Sequence, residues 1–197
     1  MNLFVDAIRD MVHPGLVCSR LELVENDPGS KVSPIQFKQS AQRPLLLQLD
    51  QKLELSCEHR HPIQLEANRR MFPLLNPQTP GATRCCDYVL FSQATDVIDG
   101  ALTILLCEIK TQHTDGALKQ IKNTSILVDH LLKLVEYHQP QKRPTIVWRG
   151  IVFSEGSGLK GGKERLPCPY QPEEFPVGMG KYVHLKADSY RLSYLCG

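Results

Sequence analysis

Apolar residues recur with clear periods in the second half of the chain and less clearly in the first. "CDYVLFS" predicts a strand over 86–92, and "ALTILLCEIK" predicts a longer one over 101–110, with the turn-rich "QATDVIDG" (93–100) between them. After "TQHTDG" a helix is expected from about Asp115 to Tyr137. Ala117, Ile121, Thr124, Val128, Leu131 and Val135 fall on one stripe there, and Thr114 or Asp115 is placed to cap the start. "HQPQKRP" ends the helix, "TIVWRGIVFS" (145–154) reads as a third strand, and "KYVHLK" as a last one. The order strand, strand, helix, strand, with runs apolar on both faces, predicts an α/β fold. A mixed central β-sheet would be flanked by helices on both sides.

The first 80 residues carry weaker signals. Phe4, Ile8 and Met11 share a helical face, and "NDPGSKVSP" (26–34) is a loop by composition. In "LLLQLDQKLELSC" (45–57) the alternation of Leu45, Leu47, Leu49, Leu53, Leu55 and Cys57 suits a hairpin turning near Asp50–Gln51. Leu46, Leu49 and Leu53 suit a helix equally well. "PIQLEANRRMFPLL" reads as a short helix stopped by Pro73, and "NPQTPGAT" as a loop. The division that follows is an N-terminal region, 1–80, covering or elaborating a core formed by 81–197.

Composition narrows the class only slightly. The chain has 197 residues, enough for one substantial core. A formal charge of +2 is too small to mark a nucleic-acid binder, although a local basic cleft beside an acidic site sums to little. Seven cysteines, an odd number without a Cys-x-x-Cys pair, fit reduced thiols better than a disulfide framework. "MNLFVDAIRDMVHPG" does not read as a signal peptide, and no apolar run approaches a membrane span. A soluble, cytoplasmic protein with no membrane partner is expected.

The chemistry gathers where carboxylates interrupt the apolar strands. In a symmetric antiparallel hairpin Asp87 faces Glu108, Val89 faces Leu106 and Phe91 faces Ile104, with opposed Cβ atoms about 5 Å apart. Lys110 shares the face of Glu108, while Ile109 points to the other layer. Two adjacent carboxylates repel unless a proton or cation lies between them. Oxygen ligands completed by water and phosphate suit Mg²⁺, with Mn²⁺ able to substitute. Lys110 is placed to orient a water or to neutralise a phosphorane. The plain alternative is a structural salt bridge between Glu108 and Lys110 at the sheet edge.

An Asp, a hairpin turn, Glu-x-Lys at the end of the second strand and then a helix resemble the core of the PD-(D/E)xK nuclease superfamily. "CDYVLF…LLCEIK" carries the resemblance, with Cys86 where Pro is often found, and it extends over residues 84 to 153. It implies a restriction-endonuclease-like core and a Mg²⁺-dependent nuclease hydrolysing phosphodiester bonds in DNA, with RNA left open. It also implies metal ligation by Asp87, Glu108 and the backbone carbonyl of Ile109, with Lys110 serving the attacking water. Many members carry a Gln early in the following helix, which corresponds to Gln120 as a further catalytic candidate. One branch continues as Gln-x-x-x-Tyr, where this chain has Thr124. An upstream Glu often joins the metal in the family. Glu66 is the candidate here, with Glu54 and Glu58 as alternatives.

The remaining motifs are weaker. In "EGSGLKGGKER" a phosphate loop's Gly-x-x-x-x-Gly-Lys-Ser/Thr is missing, but Lys160, Lys163 and Arg165 are candidates for contact with a nucleic-acid backbone. Arg69, Arg70, Lys142 and Arg143 are minor candidates of the same kind. "CEHRH" (57–61), with Cys85 and Cys86 elsewhere, lacks the usual zinc spacing, and Trp148 reads as core packing. A non-catalytic member of the same fold, acting as an interaction or nucleic-acid-binding subunit, is the second functional reading. An RNase or a small-molecule-processing α/β enzyme is the third. A homodimer or an accessory protein subunit is compatible with each.

Overall fold

A nine-residue strand that is apolar up to Cys107 needs cover on both faces, and β5 (Leu102–Lys110) has it: every residue from Leu102 to Ile109 is buried. The computed structural model describes residues 4–25, 32–38, 42–49, 84–94, 100–110, 116–139, 142–154, 181–186, 189–192 and 195. Within these, β5 is the middle strand of a five-stranded sheet. Its neighbours are β3 (Gln42–Gln48), β4 (Tyr88–Ala94), β6 (Ile146–Ser154) and β7 (Lys181–Lys186), in the order β3-β4-β5-β6-β7. β4 runs antiparallel to both β3 and β5, and β5, β6 and β7 run parallel, so the sheet is mixed. The β4–β5 register pairs Val89 with Leu106 and Phe91 with Ile104, as the alternation predicts.

One face of the sheet is covered by α1 (Phe4–Met11) and α2 (Ala117–His138). Phe4 and Ile8 from α1, with Ile121, Val128 and Leu132 from α2, pack on Val89, Phe91, Ile104 and Leu106. Each such aliphatic or aromatic side chain, fully buried, contributes about 1.5–3 kcal/mol. The expected stripe of α2 is the buried one, except that Leu131 is only partly covered and Leu132 is fully buried. Trp148 is 5% exposed in this cluster, so it serves packing.

The opposite face differs from the expectation. Among the described residues it is covered by a second sheet in place of a helix, with β2 (Ile35–Lys38) between β1 (Glu22–Leu23) and β8 (Tyr190–Arg191). Leu23, Ile35 and Phe37 from this sheet, with Leu192, close over Leu90, Leu105, Cys107 and Phe153. β2 alternates buried and exposed residues over only four positions, too few to separate it from loop by pattern.

One local expectation is also corrected, and one that the pattern leaves open is resolved. The residue at the start of α2 is Gly116, at φ 87° and without a side-chain cap, while 114 and 115 lie outside the described residues. A left-handed backbone there suits a residue without Cβ. Residues 42–48 form a strand, not a helix, with Leu45, Leu46 and Leu47 all buried, and the strand's partner is β4. The turn expected near Asp50–Gln51, residues 51–83 with their expected helix, and most of the 26–34 loop lie outside the described residues.

A hydroxyl joins the two sheets. Tyr88, 1% exposed, donates from its Oη to the carbonyl of Val24 at 2.8 Å and accepts from the Val24 N–H at 3.0 Å. Tyr88→Phe is expected to cost about 1–2 kcal/mol through these two bonds, read as a lower urea midpoint at unchanged slope. An unchanged midpoint would mean that other contacts hold Val24.

Candidate functional site

The end of β5 places two functional groups, Glu108 and Lys110, on the α2 side of the sheet. Glu108 falls on the same face as Ile104 and Leu106, and its side chain is 0% exposed. Asp87 immediately precedes β4, and continuing the observed register brings it opposite Glu108. Its Oδ2 accepts the Ile109 N–H at 2.7 Å, locking the start of one strand to the end of the other. Ile109 buries its side chain in the opposite layer, as expected, so it can offer the site backbone only.

Lys110 returns over the same face. Its Nζ is the ion-pair partner of Glu108 Oε1 and donates to Gln120 Oε1 at 3.0 Å. Gln120 Nε2 donates in turn to the Cys85 carbonyl at 3.0 Å. A cation on one side and a carbonyl on the other fix the orientation of the Gln120 amide, since only its oxygen can accept and only its nitrogen can donate. Asp87, Glu108, Lys110 and Gln120, four candidates separated by up to 33 positions in the chain, thus meet in one place.

Glu108 is the costly member. By strict geometry neither carboxylate oxygen has a hydrogen-bond donor among the described residues, and the close Lys110 ammonium and the backbone of Asp87 are what favour its charge. Burial pushes its carboxyl up to about 7; Lys110 and the backbone of Asp87 pull it down, and Glu25 raises it further. That influence places Glu25 within electrostatic reach, just after the Val24 that Tyr88 holds. No periodicity or motif marks Glu25, which opens a polar loop; only the tertiary fold brings it near.

The donor set suits a divalent cation in part. Buried carboxylate oxygens without hydrogen-bond donors, beside a second carboxylate, suit a hard cation with oxygen ligands. Among the described residues no group of three or more His, Cys, Asp or Glu side chains gathers, so only Asp87 and Glu108, with the expected Ile109 carbonyl, could face a cation there. Glu54, Glu58 and Glu66 lie outside the described residues. Cys85 and Cys86 do not enlarge the set. Burial, then the Glu108 charge, raises Cys85 to about 11, and Cys86 is raised by the same two causes. Both shifts disfavour the thiolate, the form that a nucleophilic cysteine needs.

The basic candidates divide. Lys160, Lys163, Arg165, Arg69 and Arg70 lie outside the described residues. Arg143 is committed to the protein, reaching Asp129 at 3.0 Å and Glu136 at 3.8 Å. Lys142 is exposed, as are Arg84 and Lys119, each within three residues of a site residue. No helix among the described residues is long and apolar enough to cross a membrane. No family model, curated protein or solved structure matches the chain, so the case for its function rests on the residues of this site.

Proposed function

We propose that the protein is a divalent-metal-dependent nuclease with a restriction-endonuclease-like core, acting on DNA. One observation carries the reading: a fully buried carboxylate, Glu108, converges with Asp87, Lys110 and Gln120 at the end of the central strand. A structural ion pair alone has no need of a second carboxylate beside it, because each buried charge adds desolvation cost. Asp87, Glu108 and the Ile109 carbonyl would hold Mg²⁺ or Mn²⁺. When bound, such a cation supplies a more acidic water and neutralises charge at the scissile phosphate. Lys110 orients and stabilises the attacking oxygen, and Gln120 holds the ammonium in place. Exposed Arg84 and Lys119 offer cations to the phosphate backbone.

A specific observation favours a second reading. Lys110 already closes on Glu108, and Asp87 Oδ2 is taken by the Ile109 N–H, an arrangement that also suits a non-catalytic interaction subunit of the same fold. The two readings separate by incubating the folded protein with plasmid, single-stranded DNA and RNA in Mg²⁺, Mn²⁺ or EDTA. Cutting of DNA with either metal and none in EDTA is expected. Intact substrates in both metals would leave the interaction subunit, and cutting of RNA alone would make it a ribonuclease.

A further inference from the structure

The segment that delivers Asp87 is not itself part of a strand: β4 begins at Tyr88. Its backbone is instead fastened to α2, one residue after another. Asn123 Nδ2 donates to the Arg84 carbonyl at 3.2 Å, and Gln120 Nε2 to the Cys85 carbonyl. The Cys86 N–H donates to Thr124 Oγ1 at 2.8 Å. Thr124 passes its own proton back to the Gln120 carbonyl, also at 2.8 Å. Its hydroxyl is therefore used in both directions, and the residue is 0% exposed. Beyond Cys86 the next side chain is Asp87, whose Oδ2 meets the Ile109 N–H.

We infer that Thr124 is a positioning residue: through the Cys86 N–H it sets the position of Asp87, and so the spacing of the two carboxylates. The inference rests on the reading of Asp87 and Glu108 as the working pair. Two features argue for position over mere stability. The bond lands on the residue directly before Asp87, where a shift of the backbone moves the carboxylate with little to absorb it. It also leaves from the turn of α2 that carries Gln120, the residue holding Lys110. One helix thereby sets Asp87 just before one strand and Lys110 at the end of another. The short side chain matters too. A Tyr at this place would put a ring where the hydroxyl now sits 2.8 Å from a buried N–H.

The experiment compares wild type, Thr124→Val, which keeps the shape and removes the hydroxyl, and Thr124→Ser, which restores the hydroxyl without the methyl. The first readout is amide hydrogen exchange at Ile109, referenced to Leu105 in the same strand so that global opening cancels. Thr124→Val is expected to speed Ile109 exchange about tenfold relative to Leu105, with Thr124→Ser within about threefold of wild type. Unchanged relative exchange in a folded Thr124→Val, or equal loss in both variants, would overturn the inference. If Thr124→Val does not fold, wild type still decides: a Cys86 amide exchanging as fast as an exposed loop amide would sink the idea. The second readout is Mn²⁺ affinity by calorimetry, expected to fall about tenfold in Thr124→Val and to recover in Thr124→Ser. Wild type that binds no Mn²⁺ would count against the functional reading alone, and the Ile109 amide would still decide the role of Thr124.

Discussion

Glu108→Gln is expected to make the protein more stable and to abolish its activity. At about pH 8 the gain should be of order 1–3 kcal/mol in urea denaturation, because a buried charge is replaced by a neutral group of the same shape. Lys110 keeps its bond to Gln120 and its partial exposure to water, so removing Glu108 strands no second charge in the interior. The pH dependence gives the same sign. The carboxyl of Glu108 lies at about 7 in the folded protein against 4.5 for the free group, so the folded state holds the proton more tightly. Its favourable contribution is complete below about 4.5, declines as the pH rises, and is lost above about 7. The variant has no such group, and its advantage should open across that window. On the proposed nuclease reading, metal-dependent cleavage should fall in the same preparations by about a thousandfold or more, since Glu108 would be a ligand of the cation. A variant less stable than wild type at about pH 8 would mean that the carboxylate is well satisfied. Glu108 would then be structural. Stability gained with cleavage lost is the trade-off expected where a protein keeps an unfavourable group for its chemistry.

The elements legible in the sequence are those whose burial is extreme. β4, β5, β6 and α2 were each marked by seven or more residues of consistent pattern, and the β4–β5 register followed from matching the apolar positions across one turn. Asp87, Glu108 and Lys110 stood out for the same reason, as charges inside runs that otherwise excluded them. What escaped was either short or tertiary. β1 and β8 have two residues each and β2 four, so alternation barely begins before it ends. Glu25 comes within electrostatic reach of Glu108 through the tertiary fold, next to Val24, which Tyr88 holds from 64 positions later. Thr124 fits the apolar stripe of α2, and the pattern does not show that its buried hydroxyl must find partners, one of them the Cys86 N–H.

Lys110→Met carries the opposite expectation to Glu108→Gln, although both break the same ion pair. Met keeps most of the length and apolar bulk of the lysine stem and removes only the ammonium. What remains is a carboxylate with no exposed surface, held by the backbone of Asp87 and now without its cation. Leaving a buried charge uncompensated costs about 3–5 kcal/mol in well-buried pairs; because Lys110 is 25% exposed, about 2–4 kcal/mol is expected at about pH 8. Losing the lysine also removes the main influence that lowers the Glu108 carboxyl, so the folded variant takes up a proton more readily than wild type. A raised carboxyl stabilises at low pH and loses that contribution as the pH rises. The deficit should therefore be small near pH 5 and widen towards about pH 8, measured as urea midpoints at both. A deficit of equal size at both would trace the loss to packing of the stem and not to the stranded charge. Combining the two substitutions isolates the charge further. With Gln at 108 no carboxylate is left to strand, and Lys110→Met should then cost less than about 1 kcal/mol. A full cost in that background would mean that Gln120, not Glu108, is the partner that makes Lys110 matter to the fold.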